Sequence, residues 1–182
     1  MIRKEAFVTP WFKLMAKSKD GEQASPHYSI ATPDYVAVLA ITELDEVLLV
    51  RQFRAAVEAE TIELPSGHVD AGEKPEQAAK RELVEETGYE AGELHFLGVL
   101  KPDVGRLENR LWCYFAKAQP SGAAPSEAGV EPLLWPLERL LGELAQPTQF
   151  DHALHLAVLA LALGRGLLKL PPCEPIPAKD CP

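Results

Sequence analysis

The stretch from Gly67 to Tyr89, GHVDAGEKPEQAAKRELVEETGY, constrains this chain more than any other. Pro75 suits a first helical turn and Gly88 suits the left-handed position that ends one, so the pattern predicts a helix over 75–87. On that helix Glu82, Glu85 and Glu86 stand at i, i+3 and i+4, within roughly a third of the circumference. Carboxylates sharing one face repel, which raises a pKa or frays the helix unless cations intervene. An oxygen-only cluster suits Mg²⁺ or Mn²⁺. Taken alone, Glu-x-x-Glu-Glu reads more readily as a solvated acidic face. Its context favours the cation: ELPSGHVDAGEKP is a Gly-containing loop whose backbone can approach an ion or phosphate closely. Arg81 stands four residues before Glu85 and can hold its carboxylate, while Glu73 can brace Arg81 or cap the helix.

The formal net charge of −9 argues against a nucleic-acid partner, because no basic patch interrupts it. An acidic chain can still bind a polyanionic small molecule through local arginines or bound metal. Cys113, Cys173 and Cys181 form no zinc-type pattern and fit a reducing compartment. MIRKEAFVTPWFK lacks the apolar core of a secretory signal, and the apolar run Leu154 to Leu163 is too short to span a bilayer, so the expectation is a cytoplasmic protein. At 182 residues the chain fits one domain with a small additional element.

Apolar runs of strand length lie at Tyr35 to Thr42, Val47 to Gln52, Leu94 to Leu100, Arg110 to Ala118 and Val130 to Trp135. The gap ELDE makes the first two antiparallel neighbours. Further helices are expected over Pro136 to Leu144 and Thr148 to Leu163, the second apolar enough to require burial against the sheet or a partner subunit. Strands interspersed with helices predict an α/β fold, a mixed sheet covered on both faces. Strand pieces around Phe7 to Phe12 and His27 to Ala31 suggest that residues 1–32 form an appendage, leaving 33–170 as the main domain and 171–182 as an extended tail. Gln119 to Ala128 reads as a mobile loop.

The segment Gly67 to Tyr89 resembles the Nudix box: Gly, five residues, Glu, seven residues, Arg-Glu-apolar-any-Glu-Glu-any-Gly-apolar. Every fixed position is present, a match of order 10⁻⁸ by chance at average residue usage, and Tyr89 fills the last slot where an aliphatic is commoner. The resemblance implies a Nudix-type α/β/α sandwich that holds divalent metal beside a diphosphate. It makes Glu82, Glu85, Glu86 and the backbone carbonyl of Ser66 the metal ligands, and Arg81 and Glu73 structural braces.

VLLVRQFR and ELPSGHVDAGE are similar to the ADP-ribose and nucleotide-sugar pyrophosphatase branch of that family, over roughly Pro33 to Ala118. The implied activity is Mg²⁺- or Mn²⁺-dependent hydrolysis of a nucleoside diphosphate sugar, ADP-ribose foremost, to a nucleoside monophosphate and a sugar phosphate. Arg51 and Arg54 offer bidentate donors for phosphates, or simply end a strand. Glu63 could meet a sugar hydroxyl or a metal-associated water, or end a strand likewise. Trp11 and Phe12 could stack a nucleobase, in that branch sometimes across a dimer, or pack in the core. The branch commonly carries its general base on a loop past the box, where Glu127 stands with Glu131 following, and a surface glutamate there can equally be only solvated. Arg106, Asn109 and Arg110 shape either a sugar or phosphate pocket or a plain turn. Pro102 lies nearer the box than the corresponding proline of ADP-ribose-selective members, which leaves other nucleoside diphosphate derivatives open. His152 and His155 are spaced to share a metal but have no third ligand nearby in sequence, so a core or surface role is expected. A homodimer is expected from the apolar N-terminal segment and last helix. The rival functions are a hydrolase of nucleoside triphosphates or dinucleoside polyphosphates, and a non-catalytic nucleotide-sugar-binding module.

Overall fold

A computed structural model describes residues 1–19 and 25–170, so the tail expected over 171–182 lies outside the described residues. The order of elements is β1 (Ile2–Val8), β2 (Lys13–Ser18), β3 (His27–Ala31), β4 (Tyr35–Ile41), β5 (Glu46–Arg54), β6 (Ala59–Glu63), β7 (Ser66–His68), α1 (Pro75–Thr87), β8 (Tyr89–Leu100), β9 (Leu111–Pro120), β10 (Val130–Pro136), α2 (Leu137–Glu143) and α3 (Ala153–Gly164). β1, β2 and β3 form one antiparallel sheet. The remaining strands form a mixed sheet of order β10-β5-β4-β9-β8, with β6 added to β5 and β7 to β4.

β4 is the axis of the core because both of its faces are apolar. Val36, Val38 and Ala40 join Ala78, Ala79 and Leu83 of α1 on one side. Ala37, Leu39 and Ile41 join Leu140 of α2, Phe150, and Val158 and Leu159 of α3 on the other. Period-2 alternation on one strand thus feeds two helical layers, which makes the α/β/α sandwich.

β4 and β5 are hairpin neighbours, but their register contains one pair, Ile41↔Val47. Beyond it they part. β5 continues on β6 from Val50↔Glu63 to Arg54↔Ala59, and β4 continues on β7 from Ala37↔Ser66 to Tyr35↔His68. The divergence opens a cleft in the sheet that α1 covers from one side. β7 is not expected from the sequence, and β6 is met there only as the alternative that Glu63 ends a strand, because AETIELPSGH lacks an apolar run.

Several expected elements differ in their bounds: the strand expected over Leu94 to Leu100 begins at Tyr89, and the loop expected from Gln119 starts only after β9 ends at Pro120. The strand piece around Phe7 to Phe12 is instead the end of β1 and a tight turn: Thr9 N–H donates to Phe12 O (2.9 Å), and the Thr9 hydroxyl accepts from Trp11 N–H and Phe12 N–H. The last helix begins at Ala153 rather than Thr148. The buried Glu143 carboxylate accepts the backbone N–H groups of Thr148 (2.6 Å), Gln149 (3.0 Å) and Phe150 (3.2 Å), and the loop so held is not helical.

Burial opposes the Glu143 charge, yet the three amides and the Thr148 hydroxyl outweigh it and hold the carboxyl down at about 2. A depressed folded pKa stabilises above the unfolded value near 4.5 and is lost as pH falls towards 2. Glu143→Ala should therefore lower stability by about 2–3 kcal/mol at pH 7 in urea unfolding. The gap from the parent chain should close between pH 4.5 and 2.

Candidate active site

The cleft between the parted strands has a volume of about 580 Å³ and is lined from both ends. α1 contributes Arg81, Glu82, Glu85 and Glu86. β5 and β6 contribute Gln52, Arg54 and Glu63, and β4 and β7 contribute Tyr35, Val36, Ser66, Gly67 and His68. Glu127 reaches in from the segment before β10, and His152, Leu154 and His155 from the start of α3.

On the α1 side, Glu82 and Glu86 are buried although ionisable. Their oxygens and one of exposed Glu127 lie within 4.8 Å of one another. Burial pushes the Glu86 carboxyl up to about 8 against the Ser66 N–H donated to its Oε2 (2.8 Å), and the charges of Glu127, Glu82 and Glu63 add to the rise. Burial likewise raises Glu82, against the pull of Arg81. Buried carboxylates this close must take up protons or a cation. All the donor atoms are hard oxygens, the set preferred by Mg²⁺ and Mn²⁺.

Arg81 keeps the cluster in order. Its Nε and Nη2 fork onto Glu73 (3.0 and 2.9 Å), Nη1 donates to Glu82 Oε1 (2.8 Å) and Glu85 Oε2 (3.1 Å), and Nη2 also reaches His68 O (3.0 Å). Of the two roles open to Glu73, the structure has it bracing Arg81.

The opposite wall carries a fixed ion pair. Arg54 donates Nε and Nη2 to the two oxygens of Glu63 (2.7 Å each), and Thr61 Oγ1 donates to Oε1 (2.6 Å). Burial opposes the Glu63 charge, but these bonds hold its carboxyl at about 2. Behind it, His155 Nδ1 accepts the Leu64 N–H (3.0 Å), and burial with the His152 ring beside it lowers its pKa to about 3. Glu63 is thus a third group near the two histidines, supplied by β6 and invisible in their own spacing. These three do not make a metal centre. Nδ1 of neutral His155 is an acceptor, so Nε2 carries the proton, and the two rings stack 4.0 Å apart rather than converging edge-on.

Among the sequence candidates, Arg54, Glu63, Ser66, Glu82, Glu85, Glu86 and Glu127 line the cleft, whereas Trp11, Arg51 and Arg106 do not within one chain. Trp11 sits 76% exposed on the β1–β2 turn. Arg51 pairs with Glu131 (3.1 Å) and Arg106 with Asp103 (3.6 Å) at the surface. The lining residues Tyr35, Gln52, Leu111 and Leu154 escape sequence reasoning, because each occupies an ordinary strand or helix position and reaches the cleft only through the parting of β4 and β5. Gly67 leaves room for the Glu82 carboxylate: a Cβ at that position would fall on it. Gly67→Ala should drive that carboxylate aside and weaken Mn²⁺ binding by about 10–100-fold, read by electron paramagnetic resonance titration, while circular dichroism stays unchanged.

Comparison with known proteins agrees with this arrangement. The NUDIX domain family matches residues 31–156. An ADP-ribose pyrophosphatase of Bacillus subtilis is 44% identical over 72 residues, a stretch spanning 40% of this chain and 39% of that protein. A methanol dehydrogenase activator of Bacillus methanolicus is 29% identical over 149 residues, 80% of each chain. The ADP compounds hydrolase NudE of Escherichia coli is 31% identical over 127 residues, 69% of this chain and 67% of its own. A solved structure of an ADP compounds hydrolase superposes with a TM-score of 0.70 at 21% identity, covering 92% of this chain and 95% of that one. With the box on a loop and helix beside a split mixed sheet, and a family match across well over half its length, the chain belongs to the Nudix domain family.

Proposed function

We propose that the chain hydrolyses the diphosphate bridge of a nucleoside diphosphate sugar, ADP-ribose foremost, with Mg²⁺ or Mn²⁺. The carrying observation is the convergence of Glu82, Glu86 and Glu127 oxygens within 4.8 Å, two of the residues being buried. The ligands would be Glu82, Glu85, Glu86 and the Ser66 carbonyl. When bound, the cation polarises the phosphate oxygens and makes water more acidic. The chain's own groups do the rest. Ser66 N–H and Arg81 hold Glu86, Glu82 and Glu85 at the cleft. Arg54, with Nη1 not engaged by Glu63, offers a donor to a phosphate oxygen. Glu127 accepts a proton from the attacking water as its oxygen bonds to phosphorus, and the bridging P–O bond breaks with its electron pair leaving on the departing phosphate. The names of the ADP-ribose pyrophosphatase and ADP compounds hydrolase relatives support this substrate class.

We further propose that residues 1–32 form an appendage to a hydrolase domain over 33–170, and that two copies pair through it. β1 is exposed along its whole length, and Ile2, Phe7, Val8, Trp11, Phe12 and Tyr28 leave apolar surface uncovered. Trp11, Arg51 and Arg106 would then touch substrate only in the pair. A cytoplasmic setting fits the free Cys113 thiol.

ADP-ribose with Mg²⁺ should yield AMP and ribose 5-phosphate. Glu86→Gln should lose at least roughly 10²-fold in kcat, and Glu127→Gln a comparable factor, with circular dichroism unchanged. A triphosphate cleaved in preference, with release of pyrophosphate, would replace this substrate, and an inactive chain that still binds ADP-ribose would make it a binding module. Solution scattering should return twice the chain mass, and a monomeric mass rejects the pairing.

A further inference from the structure

The last carbonyls of a helix have no partners within it, and α1 carries no basic residue in its last turn to supply donors. They come from residues 121–127, the segment between β9 and β10. Ser121 donates to Gly88 O twice, from N–H (3.0 Å) and from Oγ (2.7 Å). Ser126 N–H (2.8 Å) and Glu127 N–H (3.2 Å) both donate to Glu85 O. Tyr89 N–H turns instead to the Thr87 hydroxyl (3.1 Å), which leaves the Glu85 carbonyl to the incoming segment. The segment therefore caps the helix that bears the carboxylates, and its last bond is made by the residue whose carboxylate meets Glu82 and Glu86.

The two segments lie close together at Gly88. A Cβ there would stand 2.7 Å from Ala123 O and 3.2 Å from Pro125 Cδ, and the first of these is backbone that cannot swing aside. The residue also has φ 74°, the left-handed conformation that stops the helix. We propose that Gly88 is a positioning residue for turnover: by presenting no side chain it lets residues 121–127 close over the end of α1, and that closure holds Glu127 against the Glu82 and Glu86 carboxylates. The inference rests on Glu127 acting as the proton acceptor.

Gly88→Asn separates the two duties, since Asn tolerates the left-handed conformation better than other side chains but brings a Cβ. In the full chain, amide exchange at Ser126 and Glu127, read residue by residue by nuclear magnetic resonance, should accelerate at least about 10-fold while Ala79 to Leu83 of α1 stay protected. With ADP-ribose, kcat should fall about 10-fold or more while KM moves less than about twofold. In a Glu127→Gln background the same substitution should change kcat by less than about twofold, because the group it displaces is already silent. Unchanged exchange, undiminished kcat, or losses that multiply across the two substitutions would each overturn the proposal. If Gly88→Asn does not fold, Ser121→Ala removes the hydroxyl's bond to Gly88 O and the one it accepts from Ala123 N–H (3.1 Å), leaves the backbone bonds in place, and should shift both readouts in the same direction by a smaller factor. Full activity in Glu127→Gln alone would overturn the catalytic role of Glu127 and this proposal with it. The exchange readout still reports separately whether the segment is docked.

Discussion

The structure depends on Arg81 reconciling a set of carboxylates that would otherwise repel. In a chain of net charge −9, Glu73, Glu82 and Glu85 converge on one guanidinium, while Glu86 is taken by the Ser66 amide. A lysine could not do this, because five donors in a fixed plane are needed to serve three carboxylates and a carbonyl at once. The same contacts tie the loop after β7 to α1, since His68 O and Glu73 lie before the helix begins. The placement of the carboxylate cluster and the local folding are thereby coupled at one residue.

The second constraint is the parting of β4 and β5. A continuous hairpin would seal the sheet and leave α1 resting on a closed surface. Because the two strands share only Ile41↔Val47, β6 and β7 enter from opposite sides, and the Leu64–Pro65 junction between them carries Glu63 and Ser66 to either side of the gap. Pro65 O accepts the Val38 N–H (2.9 Å), which keeps β4 paired through the break. Glu63, buried on one wall of the cleft, is therefore held by backbone pairing with Val50 rather than by a loop.

What the sequence makes legible follows from local physics. α1 is readable to the residue because Pro75 and Gly88 mark its ends and the carboxylate spacing marks its face. The double apolar character of YVAVLAIT announces a strand covered on both sides. β7 is hidden and β6 only faintly marked because Glu60, Thr61 and Glu63 leave too few apolar residues there, and the burial of Glu63 is secured by Arg54 and by strand pairing at long range. The shortened α3 is hidden for a similar reason: its start is decided by Glu143 taking three amides, a contact no helical periodicity records. His155 of α3 and His152 just before it meet Glu63 only after the sheet has opened.

The Arg54–Glu63 fork has a consequence for recognition. A free arginine loses much of its rotational freedom when it grips an anion, and that loss is subtracted from affinity. Here two of the guanidinium nitrogens are already immobilised on a carboxylate that is 1% exposed, so the side chain is oriented before any ligand arrives. An anion entering the cleft meets a donor whose ordering cost was met during folding, at the expense of part of its positive field to the neighbouring carboxylate.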